Sequence, residues 1–317
     1  FILHPTAAYK GFLLDADFRF YSTTFGGFML KYGWIGYRFS KHDHIEIGLT
    51  KVPFGIQPAS GNNFFFQISY YVGFEDDSDM GIKYVHEDER WEYAAAFFKN
   101  ADELLFSAHS ETSDDRYGYD VAGRNKEINQ WNAQAIYKFG TTAKQKAGIS
   151  GQFGQLYNLD TRKNGTRFAF AIHYVIDWKN WNLKAQFSTY AHHPKNTPGE
   201  NRDLISMTAY GAPYLVAAKA NIYTLSFSHN FPLKSKWIQN ILIYHDFGLL
   251  QKWNRHLKNS IQTVSGLMMT MGPVCTYIDY IMGKHHAWVG PDWDAFGPGQ
   301  GSNSWHARFN INIGYYF

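Results

Sequence analysis

Arg38, Lys83, Lys138, Lys146, Arg167, Lys184 and Arg308 share one property: each falls on the side of an alternating segment opposite its aromatic residues. Fewer acids hold the same side, namely Glu46, Glu92, Asp177 and Asp246. Fixed positive charge in surplus around a water-filled space favours anions. The densest acid cluster, Glu75, Asp76, Asp77 and Asp79, stands just ahead of Lys83 and admits three readings. Folded against basic residues, these carboxylates would set up a transverse field that orients solutes. As hard oxygen donors they could take Ca²⁺, although the spacing lacks the regular alternation and central Gly of a calcium loop. At the tip of an exposed loop they would simply be solvated.

Other chemistry finds less support. His192-His193 and His285-His286 are adjacent pairs, whose members point to opposite faces of a strand; only His42 with His44 shares a side. No carboxylate or thiolate completes a site with them, so neither a metal nor a cofactor is expected. Cys275 is the only cysteine and reads as a small apolar strand residue. Ser, His and Asp all occur in loops without a nucleophile elbow, and no catalytic residue is assigned. A net charge of +3 without a basic cluster predicts no nucleic-acid partner.

The elements that must position these side chains are strands. Residues 303–317 read NSWHARFNINIGYYF, with Trp305, Ala307, Phe309, Ile311, Ile313, Tyr315 and Phe317 on one side. His306, Arg308, Asn310, Asn312, Gly314 and Tyr316 take the other, a period of two held to the final residue. Aromatic residues near both ends of such a strand suit the two girdles of a transmembrane barrel. Composition agrees: the chain is 18% aromatic but only 45% hydrophobic, with a mean hydropathy of -0.38. Barrels combine those traits because one face of each strand meets lipid and the other meets water. No run approaches the roughly 18 apolar residues of a transmembrane helix. The start, FILHPTAAYK, lacks a basic leader and cleavage site, which reads as a mature or trimmed chain.

Fourteen alternating segments follow one another, at 13–21, 27–39, 44–52, 80–85, 91–97, 131–139, 146–157, 167–178, 181–190, 221–231, 237–247, 261–271, 274–282 and 303–317. Sixteen is the alternative, if 64–71 and 205–210 are also strands. Residues 55–79 and 101–127 read as long loops, and 192–219 as an irregular stretch with a short helix near 216–220. Short links at 41–43, 86–90, 140–144, 179–180, 232–236 and 272–273 alternate with the long ones. The expectation is an all-β, closed antiparallel transmembrane β-barrel forming a single domain over 1–317, with short periplasmic turns and long extracellular loops.

Four stretches, 50–58 (TKVPFGIQP), 70–84 (YYVGFEDDSDMGIKY), 272–289 (GPVCTYIDYIMGKHHAWV) and 310–317 (NINIGYYF), resemble Gram-negative outer-membrane porins, loosely the phosphate-selective porin O/P-like group. The resemblance implies a passive channel in the bacterial outer membrane, commonly a homotrimer, surrounded by membrane lipids and lipopolysaccharide. It also implies recognition of the C-terminal strand by the barrel-assembly machinery. It implies no catalytic residues. The phosphate label is not adopted, because no inward Arg ladder clusters at one loop. The expected function is diffusion of small hydrophilic solutes with mild anion preference. Against it stand an outer-membrane barrel hydrolase and a structural barrel subunit of an envelope complex. The pore-lining expectation rests on Arg38, Lys83, Lys138, Lys146, Arg167, Lys184 and Arg308, with Glu75, Asp76, Asp77 and Asp79 at the constriction.

Overall fold

Between 164 and 178, Phe168, Phe170 and Ile172 alternate with Arg167, Ala169, Ala171 and His173, and the chain answers with a strand exposed on one face and buried on the other. The same pattern builds most of the molecule. A computed structural model describes residues 1–22, 27–65, 67–102, 120–209, 212–299 and 303–317. The first strands are β1 (Ile2–Leu3), β2 (Thr6–Tyr9), β3 (Phe12–Phe20), β4 (Phe28–Arg38), β5 (Asp43–Lys51), β6 (Ser78–Glu87) and β7 (Trp91–Asn100). Next come β8 (Asp120–Val121), β9 (Asn125–Phe139), β10 (Lys144–Asn158), β11 (Asn164–Trp178), β12 (Trp181–His193), β13 (Leu204–Ala209) and β14 (Ala212–Ala217). The last are β15 (Lys219–Pro232), β16 (Asn240–Lys252), β17 (Ser260–Met271), β18 (Val274–Lys284) and β19 (His306–Tyr315).

Sixteen strands form one sheet in the order β1-β3-β4-β5-β6-β7-β9-β10-β11-β12-β15-β16-β17-β18-β19, with β2 also on β3. Every neighbour pair is antiparallel, as in the unbroken register from Lys144 opposite Asp177 to Tyr157 opposite Asn164. β1 and β2 pair with the same edge of β3 and are two pieces of one strand, interrupted at Pro5, which has no amide hydrogen to give the ladder. The rings of Phe1 and Phe317, beside the first and last strands of that order, stack at 6.1 Å. The short connections between β4 and β5, β6 and β7, β9 and β10, β11 and β12, β15 and β16, and β17 and β18 all lie at one end. Aromatic rings crowd that end, with Trp91 on Tyr137 at 4.7 Å and Trp181 on Phe227 at 4.8 Å.

Several expectations change. Residues 64–65 and 67–71 are not a strand; they belong to a folded connection that contains a 3-10 turn, Tyr70–Val72. The 205–210 segment does contain strand β13, but it pairs with β14 and β8 in a separate three-stranded sheet. No helix forms near 216–220, because the amides of Ala217 and Ala218 are taken by the carbonyls of Phe296 and Asp203 from distant chain. Part of the second long loop, residues 103–119, lies outside the described residues; its end is ordered as β8 and the start of β9.

A bulge corrects one side chain. Asp17 pairs with Tyr32 but Phe18 pairs with Leu30, which leaves Lys31 as the extra residue and reverses side-chain parity below it. Lys31 therefore turns inward, 8% exposed, although strict alternation from Ile35 and Tyr37 would put it outside.

The outward apolar face yields a test. Ile172 is 46% exposed and lies beside Ile149 and Phe187 on neighbouring strands. In lipid vesicles Ile172→Arg should lower folding stability by about 2–4 kcal/mol at a mid-bilayer position. A urea titration in vesicles measures this, and an unchanged midpoint would mean that this face does not meet lipid.

Candidate functional site

The connection from β5 to β6, residues 52–77, folds onto the inner face of the sheet. It bears Val52, Phe54, Ile56, Ile68, Tyr70, Tyr71, Val72 and Phe74, all buried. Apolar burial at this density is enough to hold a loop inside the molecule, and polar wall residues then fix its path. Gly55 donates its amide to Ser150 Oγ at 3.0 Å and accepts from Gln134 Nε2 at 2.8 Å. The Ile56 amide meets Gln186 Oε1 at 2.7 Å. Further along, the amides of Asn62 and Asn63 and the Asn63 side chain all donate to Asp246 Oδ2, at 2.8, 2.9 and 2.7 Å. Phe64 reaches Tyr277, ring centres 5.4 Å apart. One loop thus touches strands from β9 to β18, so the sheet wraps around it.

The return path is aromatic. Phe74 packs on Phe54 and Tyr190 at 5.1 and 5.0 Å. Tyr71 lies against Trp288, Phe296 and His286 at 5.7, 5.5 and 5.2 Å. Tyr214 of the small sheet donates its hydroxyl to the Tyr71 carbonyl at 2.6 Å. These contacts merge the loop, the small sheet and residues 287–296 into one apolar cluster inside the main sheet.

The four clustered acids are not at a solvated tip. Glu75, 3% exposed, accepts from the Ser60 amide at 3.1 Å, from the Ser60 hydroxyl, and from Ser69 Oγ at 2.5 Å. Burial pushes its carboxyl above the usual range, against the pull of those hydroxyls and of Lys184. Asp76 pairs with Lys31 and, at 3.2 Å, with Lys51. Asp77 and Asp79 are buried beside Asp120. Burial and those two carboxylates push Asp77 well above the ordinary range.

The cations are mostly engaged. Lys83 pairs with Glu46 at 2.8 Å, and Lys146 with Glu92 at 2.8 Å. Lys138 sits 3.3 Å from Glu87 and 3.5 Å from Glu92. Lys184 donates to the loop carbonyls of Gly61 and Ala59 at 2.9 and 3.3 Å. Arg167 is buried and paired with Glu127. Arg38 and Arg308 are exposed, the first at the short-turn end of β4, the second opposite Ile281. Sequence reasoning missed Lys31, Lys51, Glu127 and Asp120. Only the bulge aims Lys31 inward, and only the fold brings Asp120 to Asp77.

His286 has a structural role. His286 donates from Nε2 to Gln262 at 3.0 Å and accepts on Nδ1 from the Trp288 amide at 3.2 Å, which defines a neutral ring. Burial, with Arg308 nearby, holds it down at about 3. A serine–histidine contact does occur, His245 to Ser265 at 2.8 Å, but it faces outward. The other ring nitrogen of His245 meets Thr263 rather than a carboxylate, so it is no triad.

No protein-family model matches the sequence, and no curated protein matches it. Solved structures do. The outer-membrane channel DcaP of Acinetobacter baumannii is similar at a TM-score of 0.56 and 9% identity, covering 89% of this chain and 77% of that one. A loop-deletion form of OmpT, an outer-membrane protein of Vibrio cholerae, gives 0.59 and 11% over 100% and 89%. The anion-selective porin of Comamonas acidovorans gives 0.53 and 10% over 89% and 77%. These likenesses show the fold, that of the outer-membrane β-barrels.

Two measurements test the site. Asp246→Ala removes the acceptor of three loop donors, each hydrogen bond to a charged group being worth about 1.5–3 kcal/mol. Cleavage within residues 59–65 by a dilute protease should rise roughly tenfold or more, while heat-dependent gel mobility stays as in the parent. Equal cleavage would show that Asp246 does not hold the loop. Glu75→Gln tests the buried acid. A raised carboxyl favours the folded state at low pH, and that contribution is lost as pH rises from 4.5 through the folded value. The variant should therefore melt above the parent at pH 7.5, by roughly 2–4 °C for each kcal/mol recovered. The gap should close near pH 4, and a variant melting lower at pH 7.5 would refute the assignment.

Proposed function

We propose that the chain is a channel of the bacterial outer membrane through which small hydrophilic solutes diffuse, with mild anion preference. The observation that carries this reading is the loop 52–77, held across the interior by wall residues of five strands and flanked by lysines that outnumber their carboxylates. Asp76 is shared by Lys31 and Lys51, two cations on one anion beside the inward loop. That pairing leaves net positive charge at the narrowed path. The DcaP channel and the anion-selective porin, as their names describe them, support the reading. A phosphate specificity is not part of it, since Arg38, Arg167 and Arg308 stand on separate strands.

The barrel in this proposal is closed and has fourteen strands. With Phe317 stacked on Phe1, β19 and the broken strand β1–β2 run in the same direction as one composite strand, paired with β18 above and β3 below. Counting that composite once, with β3 to β7, β9 to β12 and β15 to β18, gives the fourteen. Closure is what lipid demands, because it cannot satisfy an open edge. The short-turn end then faces the periplasm, lipids and lipopolysaccharide surround the wall, and the assembly is a homotrimer.

A second reading has its own observation. The apolar cluster formed by the loop, the small sheet and residues 287–296 fills much of the interior, as in a structural barrel plugged by its own loops. Planar-bilayer conductance separates the two: the channel gives discrete openings, whereas folded, heat-modifiable protein without openings would favour the plug. In a salt gradient, Asp76→Asn should raise anion preference by releasing Lys31 and Lys51. The change should be plain at 0.01 M salt, where screening acts over about 30 Å, and fade at 1 M, where it acts over about 3 Å. Unaltered reversal potentials would place Asp76 away from the ion path.

A further inference from the structure

A second feature of the acid cluster does not belong to the ion path. Asp77 ends the inward loop, Asp79 is the second residue of β6, and Asp120 stands in β8 of the small sheet. One carboxylate oxygen from each lies within 4.8 Å of the other two, and all three residues are buried. Oxygens bound to one Ca²⁺ at 2.3–2.6 Å lie no more than about 5 Å apart. The three therefore fit a single coordination sphere of that ion.

The surroundings call for a cation. Asp120 is 1% exposed, and neither of its side-chain oxygens meets a hydrogen-bond donor; Asp77 Oδ1 is likewise buried without one. Asp79 Oδ2 is held by Gln130 Nε2 at 2.9 Å, which fixes its direction. The neighbouring cation, Arg167, interacts with all three carboxylates, but it brings a single positive charge and is also paired with Glu127, whose other oxygen takes the Val121 amide at 3.0 Å. Buried Asp102 adds further negative charge. Surplus negative charge at this depth is costly, and a hard divalent ion relieves it through the oxygen ligands it prefers. With no imidazole or thiolate among the three, zinc and copper are disfavoured.

We propose that Asp77, Asp79 and Asp120 bind one Ca²⁺ ion, which ties the inward loop and the small sheet to the wall. The ion joins two chain segments, 77–79 and 120, whose three carboxylates outnumber the one nearby arginine, so its binding energy adds to folding. This site does not depend on the channel reading and stands or falls separately from it.

The test uses the full chain refolded in detergent from inclusion bodies, which removes lipopolysaccharide as a source of calcium binding. After treatment with a chelator and dialysis, calorimetric titration with CaCl₂ at pH 7.5 should give one ion per chain, together with a higher melting temperature. MgCl₂ at equal concentration should compete poorly, since Mg²⁺ demands shorter, octahedral contacts. Asp120→Asn should weaken Ca²⁺ uptake by at least about tenfold, and Asp160→Asn, in an exposed pair with Arg124, should leave it unchanged. Folded parent protein without stoichiometric uptake would overturn the proposal and leave protonated carboxyls as the means by which the cluster is tolerated. So would Asp120→Asn protein that binds as tightly as the parent. Should Asp120→Asn not fold, Asp77→Asn is titrated in its place, and the parent titration already decides the main point.

Discussion

A pleated strand sends successive side chains to opposite faces, and everything else in this protein depends on that alternation being kept over long stretches. Where it holds for fifteen residues, as in β10 and β11, a single strand presents an apolar outside and a polar or small inside. Antiparallel pairing repeats the division from strand to strand. The result is a sheet whose outside carries Ile149, Phe170, Ile172, Leu225 and Ile311 exposed. In water such a surface is a liability, and against lipid it is the requirement. The inward face inherits the charged residues for the same geometric reason.

An inside lined with Ser150, Gln186, Ser226 and Asp246 has no apolar core of its own, so the loop 52–77 supplies one. Its aromatic residues pack against one another and against the small sheet, while its backbone amides and carbonyls spend their hydrogen bonds on the polar wall. The wall's polarity, which in the proposed channel serves hydrated solutes, is thus also what binds the loop. A purely apolar lining would leave the Gly55, Asn62 and Asn63 amides buried and unsatisfied. This dual use explains why Lys184, expected to face the opening, instead holds the carbonyls of Ala59 and Gly61.

Much of this was legible in the sequence, and the illegible parts have definite causes. The parity of Arg167, Lys83 and Lys138 follows from local alternation, which needs no knowledge of partners. Lys31 breaks the rule because a one-residue bulge is set by its neighbour strand, and nothing in FMLKYGWIGYR announces it. Residues 205–210 alternate like a barrel strand, yet β13 pairs with β8 and β14, a choice of partner that alternation cannot encode. The meeting of Asp77 with Asp120 is longer-range still. A calcium loop shows itself by spacing along one segment, whereas these three carboxylates come from two, 77–79 and 120, and spacing along the sequence cannot bring the two together.

The acid run 75–79 shows how finely the backbone divides one patch of like charge. Asp76 has a φ of 55°, in the left-handed region that Asp tolerates better than most residues. That single reversal sends three consecutive side chains to different surroundings: Glu75 back into the loop's own hydroxyls, Asp76 toward Lys31 and Lys51, and Asp77 toward Asp79 and Asp120. In a regular strand, Glu75 and Asp77 would share a face and their burial would add to one another. Separated, one carboxyl is pushed upward by burial, one is paired with lysines, and one lies in a cluster with oxygens to spare. The same residue types at the same spacing would therefore do different work if position 76 were held in an extended conformation, which is why composition alone could place the charge here but not assign its roles.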